Sequence, residues 1–234
     1  MVSPLVHPPL APRRGGARAV SWWGRAWVRA LEEAAYGEPD LRRGRALARQ
    51  GGVGGIAVEA GSAVAAVTER DRLHTVQLRL PVLEQEGRAS LVEVVAAQVG
   101  RLGALLGGDL PHDLVEHAEE LGVELLPFGG ELETTCTCEA WTDPCPHALA
   151  LLSQLAWLVD SDPFVLLHLR GVPREELLAA LHARGDPGPR RPGAAAGSHG
   201  SEDPALDVAL DAAERAARIL ELTEDPTAGV EHLL

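Results

Sequence analysis

The sequence predicts an α+β fold, an antiparallel β-meander flanked by helices, with a small module stapled by cysteine and histidine side chains towards the end of its globular part. Three observations carry that expectation. Between residues 53 and 80, three short runs alternate apolar or β-branched residues with polar ones, the period of half-buried strands. On either side, apolar residues recur every three or four positions, the period of helices. All three cysteines, Cys136, Cys138 and Cys145, cluster in one short segment, with His147 just beyond.

The elements follow in chain order. Residues 1–20 hold four of the 17 prolines and read as a disordered arm. Ser21 is placed to cap a helix with Trp23, Trp27, Ala30, Leu31 and Ala34 on one face and Gly37 as its stop. A second short helix, over 39–50, carries Arg42, Arg43, Arg45 and Arg49 and ends in Gly51-Gly52. Strands are expected over 53–58, 63–68 and 75–80, with turns at Ala60-Gly61-Ser62 and across 69–72. Helical spacing returns over 88–106 through Leu91, Val94, Val95, Val99, Leu102 and Leu106. It returns again over 112–121, with Pro111 at the start and Gly122 at the end. A short strand over 131–135 leads into the cysteines, an apolar helix over 147–159 leads out, and two short helices cover 163–169 and 174–184.

Nine of the 20 residues 185–204 are Gly or Pro, the composition of a linker. Leu206, Leu210, Ala213, Ala217 and Leu220 then lie on one face of an amphipathic helix over 205–222. The expected organisation is an arm (1–20), an α+β domain (21–130), the stapled module with trailing helices (131–184), a Gly/Pro-rich linker (185–204) and a C-terminal helix and tail (205–234).

Composition excludes several chemistries. The 234 residues contain no lysine and no asparagine. That rules out a P-loop lysine, a kinase-type lysine, Schiff-base catalysis and N-glycosylation. The formal net charge is -13. Residues 1–50 hold nine arginines against four carboxylates, and the remainder holds twelve against thirty, so the body repels polyanions whatever the arm does. An odd cysteine count argues against a disulfide framework. With no signal-like start and no apolar run long enough to span a bilayer, a cytoplasmic location without membrane association is expected.

The chemistry is concentrated in Cys136-Thr137-Cys138-Glu139-Ala140-Trp141-Thr142-Asp143-Pro144-Cys145-Pro146-His147, a C-x-C-x6-C-x-H pattern. Three thiols and an imidazole are enough donors to close a tetrahedral zinc site. Cys136 and Cys138, two apart at a strand end, share one face. Thr142-Asp143-Pro144 has turn chemistry to bring the chain back, and Pro146 suits the first position of a helix. Cys145 and His147 then enter at a helix start, where partial positive charge favours thiolate. Four protein ligands leave no coordination vacancy, so the ion is expected to be structural. Trp141 is expected to lie over the sulfurs as a lid.

This pattern resembles the SWIM zinc finger, most strongly over residues 132–152. The flanking Trp141 and Ala148, the apolar helix after His147 and Asp162-Pro163-Phe164 are similar to bacterial SWIM-domain proteins, as, more weakly, are Trp22-Trp23-Gly24-Arg25-Ala26-Trp27 and Arg43-Gly44-Arg45, so that the resemblance extends over residues 21–184. The resemblance implies a zinc-stapled β-β-α module with Cys136, Cys138, Cys145 and His147 as ligands of one Zn2+. It also implies binding of protein or nucleic acid, with helicase-like ATPases among the associated proteins. Many members carry a basic residue where this chain has Pro146, which takes a cation away from the helix start.

Other signals are weaker. His112, Glu116 and His117 miss the inverted zincin spacing by one residue, so the two rings diverge on a helix. Gly52, Gly54 and Ala57 fit a dinucleotide fingerprint in the wrong structural order. The expectation is therefore a non-enzymatic interaction module that presents its zinc-stabilised surface to a protein partner, for which the resemblance implies a helicase-like ATPase. The alternative is a nucleic-acid-binding protein using the finger, Arg13, Arg14, Arg18 and the arginines of 39–50, with Trp22, Trp23 and Trp27 as stacking platforms.

Overall fold

The computed structural model describes residues 4–13 and 19–185. Its elements are β1 (Leu5–His7), α1 (Trp22–Ala34), α2 (Glu38–Arg49), β2 (Val53–Glu59), β3 (Ser62–Glu69), β4 (Arg72–Arg79), α3 (Gln85–Ala96), α4 (Val99–Leu106), α5 (His112–Glu120), a 3-10 turn (Gly129–Glu131), β5 (Glu133–Cys136), α6 (Pro146–Ser161), α7 (Pro163–Leu169) and α8 (Arg174–Gly185). The fold is α+β. Gly185 ends α8, and the rest of the expected linker and the helix over 205–222 lie outside the described residues.

The strands form one antiparallel sheet in the order β1-β2-β3-β4-β5. Alternation dictates which face is covered: Ala63, Ala65 and Val67 of β3 and Val76 and Leu78 of β4 point into the core, and their neighbours point out. Strand β5 continues the meander, setting Cys136 opposite Val76 and Thr134 opposite Leu78. The β-β-α of the cysteine module is thus β4, β5 and α6, and the meander and the module share a strand.

Helix α6 is the centre of the described residues. Every residue from Pro146 to Ala156 is buried, and the helix packs on α1, α2 and the inner face of the sheet. An apolar stripe would not suffice there, which is why the segment is apolar all round. Gly44 lets α2 lie directly against the start of α6: a Cβ at that position would sit 2.5 Å from Leu149 Cβ and 2.9 Å from the Pro146 carbonyl. Trp23 and Trp27 of α1 are core residues, and their indole N–H groups donate to the carbonyls of Val159 and Leu152 at 2.8 and 3.2 Å. Asp160 near the end of α6 accepts from the backbone N–H groups of Val20 and Ser21 and from the Ser21 hydroxyl, and Ser21 in turn caps α1 through the N–H of Gly24. The core runs without a break across residues 130–131.

Two expectations are corrected. The arm over 1–20 is not wholly disordered: Leu5–His7 adds an edge strand to β2, and the Arg13 N–H donates to the Arg49 carbonyl at 2.9 Å. The prolines on either side confine it to a short edge strand rather than forbidding one. The helix expected over 88–106 is two helices, α3 and α4, meeting at 103°. Gln98 takes an extended conformation, φ -138 and ψ 123, between them. The bend leaves Val99 97% exposed and buries Leu105 and Arg101 instead. Arg101 then donates to the Val94 and Asp113 carbonyls and to the Asp113 carboxylate. Among the described residues, no single helix is long and apolar enough to cross a membrane.

Candidate metal centre

Each of the four predicted donors is placed by a different constraint. Cys136 ends β5, held by the ladder to β4, and the Thr137 N–H extends that ladder by donating to the Thr75 carbonyl at 3.1 Å. Cys138 follows two residues on, at the lip of the loop. The loop turns through Thr142 and Pro144, both buried, across a cis Asp143–Pro144 bond, and Thr134 anchors it by donating its hydroxyl to Asp143 at 2.8 Å. Cys145 is the N-cap of α6 and accepts from the Ala148 N–H, and Pro146 occupies the first helical position, as its missing N–H predicts. His147 stands on the first turn, 7% exposed.

The sequence brings these four together as expected: one donor atom from each lies within 4.8 Å of all the others. Nδ1 of His147 faces the sulfurs, 3.9 Å from Cys136 and 4.0 Å from Cys145. Zinc with bonds of about 2.0–2.3 Å places tetrahedral donors roughly 3.5–3.8 Å apart, so a small contraction closes the set on one ion. The other ring nitrogen adds an independent check. With Nδ1 facing the sulfurs, the ring proton belongs on Nε2, which is buried and makes no well-aligned hydrogen bond.

The electrostatics fit a metal site. Burial pushes the Cys136 thiol up to about 12 and raises Cys145 as well. Burial also opposes ionisation of Cys138, but the Ala140 backbone N–H and the neighbouring thiols outweigh it and lower that group. Such an array holds protons until a cation replaces them. Burial, and then the neighbouring His74, depress the basicity of His147 despite Glu69, which keeps the imidazole neutral and able to donate a lone pair. His74 stacks on it at 4.2 Å between ring centroids.

The remaining candidates do not converge on a site. His112 stacks on Trp22 at 3.8 Å, while Nδ1 of His117 lies 3.1 Å from the Arg101 guanidinium. Gly54 and Ala57 lie inside β2 and form no phosphate loop. Arg42, Arg43 and Arg45 face Glu38, Glu69 and Glu32, so three of the four arginines of α2 already have carboxylate partners. Trp23 and Trp27 are buried and offer no stacking face. Trp141 is no lid: it is 81% exposed and meets Tyr36 edge to face at 5.2 Å. Sequence reasoning missed Glu69, whose carboxylate lies 3.3 Å from His147 Nε2 and is also held by Arg43. No local motif could have found it, because it reaches the site only through the sheet.

Three thiols and an imidazole converging from a strand end and a helix start are the donor set of a zinc finger. Residues 121–156 match the family model of the SWIM zinc finger, and the chain carries a finger of that type with Cys136, Cys138, Cys145 and His147 positioned to bind one zinc ion. A finger of this type is a binding module for protein or nucleic acid rather than a catalytic one. The chain is also similar to the bacterial uncharacterized protein Rv2102 of Mycobacterium tuberculosis (strain ATCC 25618 / H37Rv), 35% identical over 170 residues that cover 72% of this chain and 61% of that one. The chain therefore spans about three-fifths of the length of that relative. No solved structure matches it.

Proposed function

We propose that the protein is a non-enzymatic interaction module in which one structural Zn2+, held by Cys136, Cys138, Cys145 and His147, fixes a loop whose aromatic surface is offered to a protein partner. The observation that carries this reading is the pair Trp141 and Tyr36. The chain has eight Phe, Trp and Tyr residues, and these two are 81% and 68% exposed and packed on each other. Large aromatics left in water next to a rigid scaffold are the side chains that supply most binding energy at protein interfaces. Phe128, beside the 3-10 turn, is a further exposed aromatic, at 55%.

The partner class is a protein, with a helicase-like ATPase as the particular expectation from the family resemblance. The test compares affinity purification with wild-type chain and with Trp141→Ala of equal zinc content. A partner retained by the first and lost by the second supports the reading, and its mass-spectrometric identity decides whether it is such an ATPase. A partner set unchanged by Trp141→Ala overturns it.

One observation favours nucleic acid as the second reading. A cleft of about 750 Å³ opens beside His147, lined by Arg43, Arg70, Arg72 and His74. Against it, Arg43 is neutralised by Glu69, and Asp71 and Glu139 line the same cleft. A mobility shift that weakens steeply with salt and is lost in the double variant Arg70→Ala, Arg72→Ala would select this reading.

A further inference from the structure

Glu69 and Arg43 lie outside the matched finger, one at the end of β3 and the other on α2, yet Glu69 meets its histidine and Arg43 holds Glu69. Oε2 of Glu69 is 3.3 Å from Nε2 of His147, on the side of the ring opposite the sulfurs. Arg43 holds the same carboxylate with two bonds, Nε to Oε1 at 2.8 Å and the guanidinium NH2 to Oε2 at 2.6 Å. The arrangement is built by the packing already described. Gly44 lets α2 press against the first turn of α6, which brings the preceding Arg43 over the end of β3.

We propose that Glu69, oriented by Arg43, is a positioning residue for His147 that fixes its tautomer and ring plane for zinc and so raises the metal affinity of the finger. This rests on the zinc reading above. The physical argument has three parts. An imidazole that gives its Nδ1 lone pair to a metal carries its proton on Nε2, and that N–H needs an acceptor when buried. His147 Nε2 is buried and aligned with no acceptor, while the nearby carboxylate is within a few tenths of an ångström of hydrogen-bond length. A carboxylate shielded to this degree needs a compensating cation, and the bidentate guanidinium supplies it while fixing the orientation of both oxygens.

The test measures zinc affinity of the full chain by competition with a chromophoric chelator, together with the 15N spectrum of His147 in the zinc-loaded protein. Glu69→Ala is expected to weaken zinc binding by roughly 10- to 100-fold and to expose the Nε2 proton to rapid exchange with water. Glu69→Gln, which keeps an acceptor and the shape, is expected to lose less affinity and to retain a protected Nε2 proton. The cobalt-thiolate charge-transfer absorption of the cobalt-substituted variants should match wild type, because no sulfur ligand is touched. Zinc affinity in both variants equal to wild type, or an Nε2 proton equally protected in Glu69→Ala, overturns the proposal. If Glu69→Ala does not fold, the zinc affinity of Glu69→Gln decides alone, and an affinity equal to wild type overturns the proposal. A wild-type chain that binds no zinc refutes the metal reading itself, a result distinct from stoichiometric zinc with no dependence on Glu69.

Discussion

Helix α6 and the loop that precedes it, residues 137–144, adjoin in sequence and are ordered by opposite means. The helix is held by apolar burial on all sides and has tertiary neighbours in α1, α2 and the sheet. The loop buries little beyond Thr142 and Pro144, exposes its one large side chain, and has an anchoring hydrogen bond from Thr134. Its order depends on sulfur and nitrogen donors at its two ends. The contrast teaches that a zinc ion on these four donors would not build the core: it would fasten a polar loop onto a core that other residues build.

The strongest way to break that comparison is to remove the metal. Chelation, or Cys138→Ala, forfeits a coordination free energy that in small zinc modules is on the order of 10 kcal/mol. Hydrogen-exchange protection is expected to vanish over 137–144 and to weaken in β5, while amides in the middle of α6 stay protected. Loss of protection throughout α6 would show that the two regions are not separately supported. Acid approaches the same end state. Zinc must displace the protons that burial holds on Cys136 and Cys145, so its apparent affinity should rise between about pH 6 and pH 8, read by chelator competition. A pH-independent affinity contradicts that.

The next effects fall on the core side. Trp27→Ala removes a fully buried indole and its bond to Leu152, and should cost about 3–5 kcal/mol in denaturant unfolding with zinc still bound. Gly44→Ala pushes α2 off α6 and should cost about 1–3 kcal/mol. It sharpens the comparison because it also shifts Arg43, so zinc affinity should fall in parallel. Asp160→Ala leaves the start of α1 without its acceptor and should cost about 1 kcal/mol. The smallest expected change is Trp141→Ala, within about 0.5 kcal/mol of wild type by thermal unfolding, since an exposed ring supports nothing beneath it.

Much of this architecture was legible in the sequence, and the reasons it was or was not are local. The meander was readable because Val76, Gln77, Leu78 and Arg79 alternate, and alternation has one structural meaning in a half-buried sheet. The donors Cys136, Cys138, Cys145 and His147 were readable because ligands close in sequence leave a spacing. The break at Gln98 was not, since Val99 and Leu102 continue the helical period even though the chain turns away and leaves Val99 in water. The edge strand at Leu5–His7 was masked by its prolines. Glu69 and Arg43 were hidden for a deeper reason: their relation to His147 exists only after β3, α2 and α6 have come together.

The central position of α6 has a consequence for how the chain is made. The ribosome releases α1, α2 and the first four strands well before residues 146–161 emerge, so Trp23, Trp27 and the inner faces of β2 to β4 wait without the element that covers them. The nascent polypeptide therefore carries an unsatisfied greasy surface until residues 146–161 emerge, and the arrival of that one helix both seals the surface and delivers the last two metal donors. Burial and ion capture are tied to the same moment of translation.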